Sequence, residues 1–597
     1  MIRLLLSPIV ITCVLATCLH VFVYYSGYTF TPGTLADPDG YMRLLRVEQL
    51  LETGRWYDQS IRLANAPFGH PLPWGRFLDL IILVIYFPLS FFKESREALF
   101  TAGVWVSPLL LIPCGVALAW AKQQYQLSRD FCLAALALYL MQPALVNYYV
   151  AARPDHHALL ITLFLIQVVI VFGCLKRSSW MGGFVVAGIL MGGSCWVSIE
   201  PLAMWVATTC VFALLWLFQP GCVRQVVAFH ASTLIVSMAG LLLETPQAIW
   251  NAPVADRLSG YYLILFLVTM LGWCGIWCLS KKVPSQLFLQ RVALGVSVGL
   301  LAVGMVCYLA NPIINGPMGA IPPEILKIWW PRLDEFQPVG STPAGILDGL
   351  FTWLSVTILA LPYVVIRGMH LVKQNRNLEM HEYGWIIYAV IFTALIFYQK
   401  RWSSYAEIIW IIPAALFTAN VLKTLSLKEN MTMWRVPCLF VLLMIPFIPK
   451  GLMSLVSDST EGGPVSQVPV YHEQELIEWV ESLPATKTLL SPFNVSPQLM
   501  YFTGHHTVGG NYHTNAAGIR DSYEFWMTSD LERAAAILGS RNVDYVIIES
   551  DMETAGFHKA ELGDTTMFRR LLDKDPPEFL SFYRECGGYL IFQVGSG

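Results

Sequence analysis

A chain of 597 residues that is 55% hydrophobic and only 13% charged, with a mean hydropathy of +0.55, is not an ordinary soluble protein, because soluble domains carry about 25% charged residues. Its apolar residues are gathered in runs long enough to cross a ~30 Å hydrocarbon core, which makes it a polytopic membrane protein. The net charge of -3 is spread thinly and gives no basic surface for nucleic acid.

The run 4–24 reads as a retained first span, since one basic residue precedes it and no small-residue cleavage site follows. Further apolar windows lie at 101–121, 131–150, 157–175, 180–197, 200–218, 225–243, 260–280, 290–309, 350–368, 383–399, 404–422 and 433–449, for about thirteen crossings. The run 77–92 is shorter and carries Asp79 and Pro88, so it reads as peripheral or re-entrant. Leaving it out gathers Lys122, Arg129, Lys176, Arg177, Lys281, Lys282 and Lys423 on one side of the membrane. The positive-inside rule makes that side cytoplasmic, with the N-terminus. The C-terminal domain and Asp39, Asp155, Glu200, Glu244 and Glu335 then face outward, Glu200 and Glu244 reading as structural carboxylates.

Two outer loops are long, 25–100 and 310–349, and loops of that length are functional or disordered. Their aromatic and proline content argues for order. The first holds Asp37-Pro38-Asp39-Gly40-Tyr41, then an amphipathic helix with Leu44, Leu45, Val47, Leu50 and Leu51 on its apolar side. The second holds Trp329-Trp330-Pro331-Arg332-Leu333-Asp334-Glu335. From 451 to 597 the pattern changes to a small α/β domain. Helices are expected at Glu473–Leu483 and Asp530–Leu538, and strands at Thr486–Leu490, Val543–Ile548 and Tyr589–Val594. Nearly all of the thirteen cysteines lie in the apolar runs. They read as small core residues, and no spacing among them suggests zinc.

The chemistry is concentrated in Asp155-His156-His157, at the start of an apolar helix. Ionisable groups at a bilayer boundary are costly and call for a compensating role. Asp155 and His157 can share a divalent cation where the backbone is extended or turning. Asp39, Glu335 and Arg401 fall on the same face. Carboxylates with imidazole and no cysteine suit Mg2+ or Mn2+, and an arginine beside a metal is a recurring way to hold phosphate. Each residue taken alone also has a plain reading. Asp39 can be a turn residue, Asp155 a helix cap, Glu335 a loop carboxylate, and Arg401 an anchor at a span end.

These residues resemble the catalytic subunit of oligosaccharyltransferase, a C-type (GT-C) integral-membrane glycosyltransferase. Asp39-Gly40-Tyr41 is similar to the family's first-loop acidic motif, and Asp155-His156-His157 to its second, Asp-x-His motif. Asp334-Glu335-Phe336-Gln337-Pro338 is similar to its long-loop glutamate motif, and Arg401 stands where the family has a phosphate-contacting arginine. The resemblance covers the membrane part, residues 1–450, in motif order. It implies an all-α polytopic membrane domain with an α/β extracytoplasmic domain at 451–597. It also implies inverting transfer of a mono- or oligosaccharide from a polyprenyl (pyro)phosphate to a protein, lipid or glycan acceptor at the outer face of the plasma (inner) membrane. Asp39, Asp155, His157 and Glu335 would be metal ligands, with Asp39 and Glu335 catalytic and Arg401 at the donor phosphate.

The chain departs from the family in its soluble domain. Where relatives carry Trp-Trp-Asp, it reads Ser491-Pro-Phe-Asn-Val-Ser-Pro497. The following Tyr512-His513-Thr514-Asn515 puts His513 and Asn515, with His156, forward as acceptor-side or supporting residues, a buried turn network being the alternative for the pair. The competing class is a transporter or flippase of lipid-linked glycans. That class places its ionisable residues near mid-membrane, whereas here they collect at one face.

Overall fold

The computed structural model describes residues 2–28, 30–247, 250, 252–282, 287–316, 319, 321–340, 343–427, 429–449, 473–550 and 565–595. The domain boundary expected at 450/451 lies outside the described residues.

Among them, seven helices are long and apolar enough to cross a membrane, and eight if one bent pair counts as a single span. Shorter apolar helices are Phe77–Leu89, Met181–Val197, Leu202–Phe218, Met380–Ile396 and Met431–Phe447. The expected windows fall largely on helix, several of them interrupted, and two of the breaks are linked. Window 131–150 bends by 68° between Arg129–Met141 and Pro143–Tyr149. Pro143 lacks an N–H and pushes Gln142 to an extended conformation (φ -66°, ψ 127°). Window 350–368 divides into Pro343–Trp353 and Thr357–Lys373. The two breaks meet in the core, where Ser355 Oγ donates to Gln142 Oε1 at 3.1 Å. Each break thus supplies a polar partner for the other, which hydrocarbon would not. Phe77–Leu89 has 13 residues, or about 20 Å at 1.5 Å per residue, too short to cross upright.

The first long loop is ordered by the amphipathic helix Pro38–Thr53. Asp37 caps it by accepting from Gly40 N–H at 2.9 Å, Pro38 suits the first position, and Gly54 ends it at φ 63°. Its inner face buries Leu44, Leu45 and Val47 together with Arg43 and Arg46. Both arginines point at Asp79, at 3.1 and 2.8 Å, and Arg76 joins at 3.5 Å, with all four side chains sealed from solvent. This cluster ties Pro38–Thr53 to Phe77–Leu89. Gly75 lies so close to the Trp196 carbonyl that a Cβ would sit 2.0 Å from its oxygen, so the loop can only pass there as glycine.

The C-terminal domain is a five-stranded sheet in the order His506–Thr507, Thr488–Leu490, Tyr545–Glu549, Tyr589–Val594, Leu580–Cys586. The first three strands are parallel and the last two form an antiparallel hairpin. Alternate residues feed two cores, one with Val546, Ile548 and Phe592, the other with Tyr545, Ile547 and Ile591. Helices cover both faces, which is why Tyr545–Glu549 is buried throughout. The domain docks on the first long loop. Thr507 N–H bonds Leu63 O at 2.8 Å, Ala66 N–H bonds Thr507 O at 3.0 Å, and Arg541 reaches Asn65 Oδ1 and Ala66 O, both at 2.9 Å.

Candidate active site

The second acidic motif is built at the entrance to the span His156–Lys176. Just before it, Ala152 adopts φ 63°, a left-handed conformation unfavourable for a residue with a Cβ. Two backbone bonds hold it there: Ala152 N–H to Val104 O at 3.0 Å and Ala36 N–H to Ala152 O at 2.8 Å. The second brings the first loop against the motif. Asp155 is extended and caps the span, accepting from His156 N–H at 2.6 Å. The same oxygen lies 2.6 Å from His156 Nδ1. The cap reading therefore holds, and the cap geometry places the same carboxylate beside two imidazoles.

Around Asp155 lies a cavity of about 510 Å³. Asp39, Asp155, His156, His157, Glu335, Arg401 and His513 all line it. They come from five separate regions of the chain. Arg401 is delivered by a 3-10 turn, Lys400–Trp402, at the head of the span Ser403–Ser426. Lys400 N–H bonds Gln337 O at 2.9 Å, which ties that turn to the second long loop and brings Glu335 Oε1 to 4.0 Å from Arg401 Nη1. The guanidinium stacks 4.5 Å above the Phe336 ring, donates to Glu200, and lies 3.1 Å from His157 Nε2.

Asn515 does not line the cavity. It is fully buried, accepts from Gly518 N–H at 3.2 Å and donates to Val508 O at 3.1 Å. This is the turn network that a short polar side chain makes at a helix start. His513 is different. It faces the cavity and pairs with Asp256 at 2.7 Å.

Several residues join the site that the motifs did not single out. Glu200, read from sequence as structural, is the partner of Arg401 and lies 3.7 Å from His156 Nε2 and 3.8 Å from His157 Nδ1. Arg153 pairs with Asp37 at 2.7 Å. Tyr512 donates its hydroxyl proton to Asp39 at 2.7 Å. Arg153 and Tyr512 had a signal, since each adjoins a motif already noted. Asp256 had none.

Electrostatics separate the carboxylates. Burial, followed by repulsion from Asp37 and Asp155, pushes Asp39 up to about 7 despite the Tyr512 hydrogen bond. Burial also raises Asp37, against the pull of Arg153. For Asp155 burial acts the same way, but His157 and His156 outweigh it and hold the acid well below its ordinary range. Glu200 is held low too, chiefly by Arg401 acting against burial. Asp39 is thus a half-buried carboxylate raised by burial and by the repulsion of other carboxylates, the setting a bound cation relieves.

The residues that converge on one point are Asp155, His156 and His157, with donor atoms all within 4.8 Å of one another. The sequence favoured Asp39, Asp155, His157 and Glu335. His156 enters because the cap geometry folds its ring back onto Asp155, while Glu335 reaches the cavity from the Arg401 side. One carboxylate and two imidazoles are a chemically sound donor set for a divalent transition ion.

No family model matches the chain. The archaeal oligosaccharyltransferase AglB from Archaeoglobus fulgidus, solved with an inhibitory peptide and a dolichol-phosphate, superposes with a TM-score of 0.69 at 13% identity, over 98% of this chain and 74% of that one. This is the oligosaccharyltransferase fold. A structure of the Archaeoglobus fulgidus oligosaccharyltransferase complexed with Zn and sulfate gives 0.64 at 14% identity, over 98% and 73%. In sequence, the dolichyl-phosphooligosaccharide-protein glycotransferase 1 of the same organism is 28% identical over 169 residues. That stretch is 28% of this chain and a quarter (25%) of the curated relative. The oligosaccharyltransferase fold thus extends over nearly the whole chain, while sequence likeness is confined to about a quarter of it.

Proposed function

We propose that the chain is a metal-dependent inverting glycosyltransferase. It would move a mono- or oligosaccharide from a polyprenyl-(pyro)phosphate donor to an acceptor at the outer face of the plasma (inner) membrane. The observation that carries this reading is Arg401. Its guanidinium is held between Glu200 and Phe336 on the wall of a cavity rich in carboxylates, beside the only cluster of convergent metal donors among the described residues. A phosphate leaving group needs such a fixed positive group, and an acceptor needs a carboxylate to orient it.

Asp155, His156 and His157 would hold the cation, with Asp39 beside them. Two imidazoles favour Mn2+ or Zn2+ over Mg2+, and a relative of the same fold is complexed with Zn. Bound there, the cation would supply Lewis-acid neutralisation of phosphate charge. Arg401 binds the donor phosphate, and its buried Nε has no protein partner. Asp39 and Glu335 orient the acceptor nucleophile, and Asp39, poised near neutrality, can take its proton. Attack opposite the leaving phosphate inverts the anomeric centre. Charged groups gathered at one end of the bundle support an enzyme over a transporter, whose sites sit at mid-membrane.

The test is transfer from a radiolabelled polyprenyl-linked glycan by the purified full chain. Chelation should stop transfer and Mn2+ restore it. Arg401→Gln should lower the rate by about 10²- to 10³-fold, the cost of losing one preorganised charge donor. Transfer that survives both treatments would falsify the assignment. Peptides with and without Asn-x-Thr, offered alongside lipid and glycan acceptors, decide the acceptor class.

A further inference from the structure

A second cavity of about 540 Å³ lies at the opposite end of the His156–Lys176 span from the active site. It is made by the fold rather than by one side chain. Its walls come from separate helices and include Ala121, Ala135, Leu165, Phe172 and Ile412. The two alanines supply the room. Polar groups line it chiefly at one end, where Tyr125, Lys176, Glu379 and His381 form the mouth. There Lys176 Nζ sits 5.9 Å from the Tyr125 ring centre, and Glu379 is taken by His381 at 3.3 Å. Among the described residues no carboxylate pairs with Lys176. At the inner end, the Tyr139 hydroxyl is already bound to that of Tyr149 at 2.7 Å, which leaves little but hydrocarbon to meet an occupant.

We propose that this cavity holds one acyl chain of a phospholipid from the leaflet opposite the active site, with its phosphate on Lys176. Three observations favour that occupant. The mouth offers a cation and the interior offers apolar walls, which is the polarity of a lipid. From Lys176 to Leu165 is eleven residues, about 16 Å of helix and so about half of a ~30 Å hydrocarbon core, the reach of one leaflet's chains. An apolar space beside lipid fills with hydrocarbon, since water finds no partners there.

The experiment is independent of the enzymatic reading. The full chain is purified, stripped of lipid and offered dioleoylphosphatidylglycerol, and retained lipid is counted by native mass spectrometry. One tightly held molecule is expected. Ala135→Phe, which fills the cavity, should weaken its retention about tenfold, and Lys176→Gln about fivefold for phosphatidylglycerol and less for phosphatidylcholine, whose choline offsets the phosphate charge. If Ala135→Phe does not fold, Ala121→Phe fills the same space from another wall. Equal retention in wild-type and filled proteins, retention of detergent alone, or displacement of the lipid by a polyprenyl phosphate would each overturn the proposal.

Discussion

Two clusters of charge lie toward the same end of this molecule, and they differ in kind. Arg43, Arg46, Arg76 and Asp79 are sealed, with three cations around one shared carboxylate. Asp39, Asp155, Glu200, Glu335 and Arg401 face open space, with carboxylates in excess. Burial alone therefore does not mark function. The sealed cluster spends its donors on the backbone, including Arg46 to Trp74 O at 2.7 Å and Arg76 to Asp58 O at 2.6 Å, and so fixes the loop. The open cluster keeps groups whose charge is unbalanced until something binds. The two are joined through Trp74, which stacks 4.4 Å from Arg43 and lies 5.5 Å from the His156 ring.

The sharpest test of that division is Asp155→Ala. Removing the central donor of the open cluster should lower transfer by at least about 10³-fold, as loss of a transition-state interaction does, with insertion and thermal stability nearly unchanged. Some local loss is expected from the cap, about 1 kcal/mol. A variant that keeps transfer would move the chemistry elsewhere in the cavity.

Asp79→Asn should do the reverse. It leaves three buried guanidinium groups, two on Pro38–Thr53 and one at the head of Phe77–Leu89, without the carboxylate they share, and breaking such a buried pair costs about 3–5 kcal/mol. The expected result is a lower unfolding temperature and poor recovery from membranes. Whatever folded protein remains should transfer glycan at close to the wild-type rate per molecule. Normal stability with lost transfer would erase the distinction between the two clusters.

Tyr512→Phe probes the seam where the C-terminal domain meets the open cluster. The phenol holds Asp39 at 2.7 Å and its ring packs 5.0 Å from Trp74. Deleting the hydroxyl removes one hydrogen bond to a carboxylate, about 1.5–3 kcal/mol, while the ring packing persists. A fall in kcat of about tenfold with little change in melting is expected, and a larger change in melting than in kcat would make the tyrosine a structural peg.

How much of this was legible in sequence follows from how each feature is encoded. Composition and the run of apolar windows gave the membrane bundle, and period switching gave the helix and strand positions named in the C-terminal domain. The acidic motifs gave residues that share one cavity. What stayed hidden depends on partners distant in the chain. Glu200 looked structural because nothing near it in sequence announces Arg401, 201 residues away. Tyr512 meets Asp39 across 473 residues. The break at Gln142 is readable from Pro143, but its partner at Ser355 is not, because only packing brings the two together. The convergence of His156 on Asp155 depends on cap geometry that residue types alone leave open.

The smallest expected effect concerns pH and the same seam. His70 is 3% exposed and touches the C-terminal domain through Thr514 Oγ1 at 3.2 Å. Burial lowers its pKa from the ordinary 6.5 to about 4, against the pull of the Pro71 carbonyl. Because the folded value is depressed, the unfolded chain binds more protons between those two pH values, so stability falls as pH drops through that window and is fully present above it. The contribution is about 2 kcal/mol at neutral pH, allowing for relaxation around a charged imidazole. Melting temperatures from pH 7 to pH 4 should show this slope, and His70→Asn, which keeps a polar atom toward Thr514, should flatten it. An unchanged slope in that variant would assign the acid sensitivity to another imidazole lowered by burial, such as His505; Asp37 and Asp39, whose values are raised, take up protons first in the folded state and oppose the slope.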